Sequence, residues 1–389
     1  MNNKRIKILQ LLPDYHENSH NYSDLAEQIT AAFPKERFAV TTAFLRGTPK
    51  EGHPTSRAEN TIYFDFPHDA PHGLRLKVTR RIYGLCHDRK FDVVICHRFK
   101  QVSLLMGLNR LLKVPICIGI SHGFGEYEAF FRRLRARLLI NDAWRFVGVS
   151  PAVRQYLLDK HCGFTEKNTV AITNAIDIHQ AEAEQLSRFE ARKQLGLPQE
   201  ALIIGSIGRL VKVKGHHYLI HAFARISEKY PNTHLAIIGE GREEEALRQE
   251  IVQLGVQQKV HLPGFFPGAK RYVRAFDIAA MPSLREGLGL ALLEGMCGHL
   301  PIIASRIPAM IPLVEGAGGL LPLPADVDSL ADAMDRYLSL PINDLKIAGE
   351  RAYDYLCQNH RIEDYRAHYL QLVEEALLCA GIDAHSSVN

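Results

Sequence analysis

The chain has 389 residues, 46% hydrophobic and 23% charged; that length suggests two domains at roughly 100–200 residues each, and that composition excludes disorder, collagen and coiled coil. No apolar run approaches the ~20 residues of a membrane-spanning helix, and the short apolar strip near the start is too interrupted for a secretory segment. The net charge of +4 hides an asymmetry, with 26 Lys+Arg against 18 Asp+Glu in residues 1–182 and 21 against 25 in the remainder, which points to an anionic partner on the first half.

Short apolar runs alternate with longer amphipathic stretches. In the first half strands are predicted at 6–12, 38–44, 60–64, 92–96, 115–120, 145–149 and 169–172. Helices are predicted at 23–33, 74–88, 102–112 and 151–161, with a further one through the 130s. In the second half strands are predicted at 202–207, 234–238, 260–262, 278–281, 301–304 and 319–323. Helices there are expected at 215–230, 242–254, 290–298, 326–338 and 342–357. Alternating β and α with near-continuous apolar strands means parallel sheets covered on both faces. The series breaks near Asn174–Asp177. The expected fold class is therefore α/β, with two doubly wound Rossmann-like domains facing a cleft. The domains are 1–178 and 179–360, and 361–389 is a C-terminal helix returning toward the first domain with a frayed tail. Ligands of such sheets bind beyond the carboxyl ends of the strands. The seven cysteines form no CxxC pair and their count is odd, which reads as reduced thiols in a cytoplasmic protein rather than a zinc site.

Two clusters in the second half carry chemistry. In Gly205-Ser-Ile-Gly208-Arg209-Leu-Val-Lys-Val-Lys214-Gly215 a strand ends, a glycine turn follows, and an Arg and a Lys precede a helix. A planar fork and a point charge beside a helix start suit a diphosphate; an ordinary turn with solvated basic residues is the plain alternative. In Pro282-Ser-Leu-Arg-Glu286-Gly287-Leu288-Gly289-Leu290-Ala-Leu-Leu-Glu294 a glycine loop leads into a helix whose dipole favours an anion. Glu286 and Glu294 flank that helix start and suit the hydroxyls of a sugar and a ribose.

The GR-x4-KG element, followed some seventy residues later by E-x7-E, resembles the family 4 retaining glycosyltransferases of the GT-B fold. Asn174-Ala-Ile-Asp177, Ile237-Ile-Gly-Glu-Gly241, Val260-His-Leu-Pro-Gly264-Phe265 and Phe276-Asp277 with Pro282-Ser283 are similar to further family segments in the same order. The resemblance is specific over 174–305 and rests on layout in the first half, where it points toward the lipopolysaccharide-core members. It implies that Gly208, Arg209 and Lys214 meet the donor diphosphate, that Glu286 holds donor-sugar hydroxyls, and that Gly287, Leu288, Gly289 and Leu290 present N–H groups to phosphate. It further implies that Glu294 binds the ribose and that Gly264 and Phe265 flank the nucleobase. No cofactor or metal is expected, the cations serving in place of Mg²⁺. The single DxD spacing, Asp326-Val-Asp328, reads as a helix cap.

In the first half His122 follows a buried strand, and the resemblance places it as a catalytic or sugar-positioning residue; Glu126 and Glu128 are candidate acceptor contacts, with solvated loop acids the plain alternative. The stretch from Pro13 to Ser23 has no glycine where many family members carry one, so no role is assigned there. Arg75, Lys77, Arg80 and Arg81 lie on one helix, and Arg132, Arg133, Arg135 and Arg137 on another, beside Phe130, Phe131, Leu134, Leu138 and Trp144. Basic and apolar residues together suit an anionic membrane surface or a lipid-linked phosphate, and RNA is disfavoured without a stacking platform. The reading is a hexosyltransferase using a nucleotide sugar, UDP favoured, on a saccharide or glycolipid acceptor in surface-glycan synthesis, cytoplasmic or peripheral on the inner membrane face. The alternatives are a GT-B sugar-nucleotide epimerase or phosphorylase, and a catalytically silent nucleotide-sugar-binding membrane module.

Overall fold

The structure, a computed structural model, describes residues 5–15, 22–49, 55–67 and 72–382; positions 16–21 of the glycine-free stretch and the tail 383–389 lie outside them. The chain forms two compact units, Met1–Asn174 with Glu363–Asn389, and Ala175–Ile362.

The first unit runs β1 (Ile6–Asp14), α1 (Tyr22–Ala31), β2 (Phe38–Arg46), β3 (Asn60–Tyr63), α2 (His72–Arg89), β4 (Val93–His97), α3 (Arg98–Leu112), β5 (Ile116–Ser121), α4 (Phe130–Leu139), β6 (Trp144–Gly148), α5 (Pro151–Leu158) and β7 (Thr169–Ala171). Its seven strands are parallel in the order β3-β2-β1-β4-β5-β6-β7. β1 and β4 are buried on both faces, as near-continuous apolar strands must be under helices on either side. Trp144, stacked on Phe146, is fully buried beneath the sheet. It therefore belongs to the core and not, as its neighbourhood in sequence suggests, to the surface of α4. Local chemistry sets the helix starts: the Ser150 hydroxyl accepts from the Val153 N–H at 3.2 Å, with Pro151 in the first turn of α5.

The second unit runs α6 (Ile178–Glu184), α7 (Arg188–Leu195), β8 (Leu202–Ile207), α8 (His216–Ile226), β9 (Thr233–Ile238), α9 (Glu244–Gln253), β10 (Val260–Gly264), β11 (Ile278–Met281), α10 (Leu290–Cys297), β12 (Ile302–Ala304), α11 (Ile311–Gly316), α12 (Val327–Leu338) and α13 (Ile342–Asn359). Its five parallel strands take the order β10-β9-β8-β11-β12. One sequence expectation fails here. The stretch predicted as a strand at 319–323 makes only one bridge, Leu320 to Ile303; Gly318 in the left-handed region and Pro322 leave no run to pair. The polar stretch after Asp177 folds as α6 and α7, capped by Asp177 and Ser187. Asp326 accepts from the Ser329 N–H at 2.9 Å and so caps α12, the role its position suggests.

Helix α14 (Ile362–Cys379) follows α13 and joins the first unit. Arg366 donates to Gln28 Oε1 at 2.8 Å, and Arg37 pairs with Glu374 at 2.7 Å. None of the seven cysteines is in a disulfide.

Candidate active site

In each unit the strand order reverses once, between β1 and β4 and between β8 and β11. Such reversals leave a crevice at the carboxyl ends of the strands.

In the second unit that crevice is where the two sequence clusters meet. β8 ends at Ile207, and the Gly208 N–H donates to Ile238 O at 3.0 Å. The chain then forms a short 3₁₀ turn, Lys212–Lys214, before α8. Gly215 sits there at φ +69°, and a Cβ on it would lie 2.0 Å from Pro282 O, so only glycine lets this turn pass the end of β11. The Leu284 N–H donates to Val213 O at 2.8 Å. This close passage puts Lys214 Nζ 2.5 Å from Glu286 Oε1, which also accepts from the Ser283 hydroxyl at 2.8 Å. Lys214 and Glu286 are each about one-fifth exposed or less, and Arg209 beside them is exposed. Gly289 begins α10 with no side-chain cap, and a Cβ there would lie 2.3 Å from Met310 Cε. Glu294 is half-buried one turn later. Gly264 is at φ +92°, and Phe265 is 43% exposed.

Sequence reading missed His216. It opens α8 and is buried against the backbone of Gly208 and Arg209. A Cβ on Gly208 would lie 3.8 Å from its Nε2. Burial, and then the Lys214 charge, push it down to about 4, so the imidazole is neutral at pH 7.

In the first unit His122 follows β5 and meets His97, the last residue of β4. His97 Nδ1 and His122 Nε2 are hydrogen-bonded at 3.3 Å, and the rings stack at 5.5 Å. Burial, and then the Arg98 charge, hold His122 down to about 3; buried His97 lies well below its ordinary value for the same reason, with His122 next. Arg98 begins α3 in the left-handed region, φ +67°, a conformation costly for a residue with a Cβ. The Ser121 hydroxyl donates to Glu126 at 2.6 Å. Burial pushes Glu126 up to about 7, against the Ser121 and Phe99 donors and the charges of Arg98 and Arg132. His97 and Arg98 were legible only as residues at the end of a predicted strand, the one signal that finds them. Glu128 is instead exposed and paired with Lys160 at 2.8 Å.

Two family matches cover most of the chain: residues 25–180 match Glycosyltransferase Family 4, and residues 187–355 match Glycosyl transferases group 1. The chain is a family 4 glycosyltransferase. It is 26% identical over 271 residues to an uncharacterized glycosyltransferase of Methanocaldococcus jannaschii, covering 66% of this chain and 68% of that one. It is 35% identical over 159 residues to a D-inositol 3-phosphate glycosyltransferase of Corynebacterium urealyticum, covering 38% of each. The lipopolysaccharide core biosynthesis glycosyltransferase LpsE of Rhizobium meliloti is 29% identical over 183 residues, covering 47% of this chain and 52% of LpsE. A sucrose-phosphate synthase structure from Thermosynechococcus elongatus superposes with TM-score 0.79 at 18% identity, covering 96% of this chain and all of that one. Anabaena HepE in complex with UDP and glucose superposes with TM-score 0.78 at 19% identity over 95% of this chain and all of HepE. The fold of this glycosyltransferase is therefore GT-B, two parallel-sheet α/β domains.

The basic helices of the first unit divide their side chains. Of α2, Lys77 and Arg80 are exposed, while Arg81 lies over the Phe64 and Phe66 rings at 5.1 and 5.5 Å; the side chain of Arg75 lies outside the description. On α4, Arg132 covers the Phe99 ring and donates to Glu126 O at 3.1 Å, and Arg135 donates to Ser103 O at 2.9 Å. Arg133 is half-buried and Arg137 exposed. Phe130, Phe131, Leu134 and Leu138 stand out in solvent, Phe131 at 80%. No helix of the described residues is long and apolar enough to cross a membrane.

Proposed function

We propose that this glycosyltransferase is a retaining hexosyltransferase that moves a sugar from a UDP-sugar to a saccharide or glycolipid acceptor. The observation that carries the reading is the Lys214–Glu286 pair at the β8/β11 reversal, beside the uncapped start of α10. A diphosphate recruits Lys214 and Arg209 and releases the Glu286 carboxylate to accept from donor-sugar hydroxyls. Gly287, Leu288, Gly289 and Leu290 direct N–H groups at phosphate, and Glu294 takes the ribose hydroxyls. Gly264 and Phe265 border the base.

The cations neutralise the charge that grows on the departing nucleotide, so no metal is required. His122, held neutral, is a weak base and serves best as a hydrogen-bonding group for sugar hydroxyls. Glu126 accepts from the acceptor. Attack occurs on the face the nucleotide leaves, with the departing phosphate taking the acceptor proton. The likeness to LpsE supports a role in a lipopolysaccharide core or another surface glycan. The apolar and basic side chains of α4, together with Lys77 and Arg80, suit peripheral binding to an anionic leaflet.

A nucleotide-sugar panel by thermal shift in EDTA tests the core of this. One UDP-sugar raises the melting temperature of wild type and not of Arg209→Ala. A shift that requires added Mg²⁺, or that survives in the variant, refutes the site.

A further inference from the structure

Away from that site, α8 and α9 bring together two imidazoles and a carboxylate. His217 and His221 are four apart on α8 and so share one face. His217 Nδ1 lies 2.7 Å and His221 Nε2 3.5 Å from the same Glu250 oxygen on α9. The imidazole rings are 4.4 Å apart, and one ligand atom from each residue falls within 4.8 Å of the others. His221 Nε2 is buried and makes no hydrogen bond among the described residues. Tetrahedral ligand atoms about 2.1 Å from a metal lie about 3.4 Å from one another, so small side-chain rotations complete this set.

We propose that His217, His221 and Glu250 bind one divalent transition-metal ion, zinc by preference, with water in the fourth position. Two imidazoles and one carboxylate favour zinc or its neighbours over the hard cations Mg²⁺ and Ca²⁺, which take all-oxygen shells. His217 is half-exposed, so the ion enters from solvent. Bound, it ties α8 to α9. The site is separate from the donor chemistry and does not depend on the function proposed above.

The test is a zinc titration of the metal-free full chain against a chromogenic chelator, with the visible spectrum of Co²⁺ as a second readout. Wild type takes up one zinc per chain and gives a four-coordinate Co²⁺ spectrum. His217→Ala/His221→Ala binds at least tenfold more weakly and loses that spectrum, and Glu250→Gln weakens binding in the same direction. Zinc at 100 times its Kd raises the melting temperature of wild type by about 5 °C or more and leaves the double variant unmoved. Failure of wild type to take up zinc overturns the proposal. So does a double variant that keeps wild-type stoichiometry and affinity, which places the metal elsewhere. Should the double variant melt lower than wild type in EDTA, His217→Gln, at the most exposed of the three positions, carries the same comparison.

Discussion

Lys214 and Glu286 compensate one another, so each is held ready and neither is solvated alone. Lys214→Ala is expected to slow transfer by about 10²-fold or more, the usual cost of one charge-stabilising group. Glu294→Ala is expected to weaken nucleotide binding and leave the rate at saturation closer to wild type; titration calorimetry with UDP and initial rates separate the two. His216 supplies a pH signature. Its proton affinity falls from the ordinary 6.5 to about 4 on folding, so the unfolded chain takes the proton first. Stability is full above pH 6.5, falls as pH drops toward 4, and levels below, a difference of about 3 kcal/mol at most. His216→Gln is expected to flatten that part of the slope, seen as urea midpoints at pH 7 and 4.5 that move closer together than in wild type. Glu126, raised on folding, acts with the opposite sign in the first unit, its contribution being lost as pH rises through about 7. The sequence exposed Arg209, Lys214, Glu286 and Glu294 because glycines and charges cluster at fixed spacing. It hid His216, which looks like one more polar residue on a helix, because only the packing of α8 shows that its ring is buried.

At the level of elements, Arg192 shows why α7 escaped prediction. It reads as a surface residue yet is fully buried. It donates to Asp277 at 2.8 Å and to the carbonyls of Ala275, Pro198, Gln199 and Ala201. Asp277 in turn accepts from the Ile203 N–H at 2.7 Å, fastening the starts of β8 and β11. Arg192→Ala strips a buried carboxylate of a partner and is expected to cost about 3 kcal/mol, read as a lower denaturant midpoint. The strands of both sheets were legible because buried parallel strands are apolar without interruption; the start of α10 was legible from its glycines. The outward side chains of α4 form a second testable element. Phe131→Ser/Leu138→Ser is expected to lower sedimentation with anionic vesicles several-fold while melting is unchanged, since both residues are more than 70% exposed.

Each unit of the whole molecule has its own apolar core, one around Trp144, Phe146 and Phe164 and another around Ile203, Leu293 and Ile302. The division near residue 174 is drawn in the sequence by the polar stretch that follows it, and the C-terminal helix expected over 361–389 is α14, which groups with the first unit. Ile362, Tyr365, Tyr369, Leu372, Val373, Ala376 and Leu377 are all buried. At about 1.5–3 kcal/mol each, Leu372, Val373 and Leu377 alone reach into the ~5–15 kcal/mol that holds a domain folded. A chain stopped after residue 361 is therefore expected to lose the first unit's melting transition and keep a UDP-responsive second one, which calorimetry distinguishes.

That returning helix also bears on how the protein is made. The second unit is continuous in sequence, so all of it leaves the ribosome before α14 does. The first unit, though begun earlier, waits for a piece translated after its neighbour. Synthesis order and completion order are thus reversed, and during translation the first unit stands without the helix that completes it, the interval in which a chaperone has most to protect.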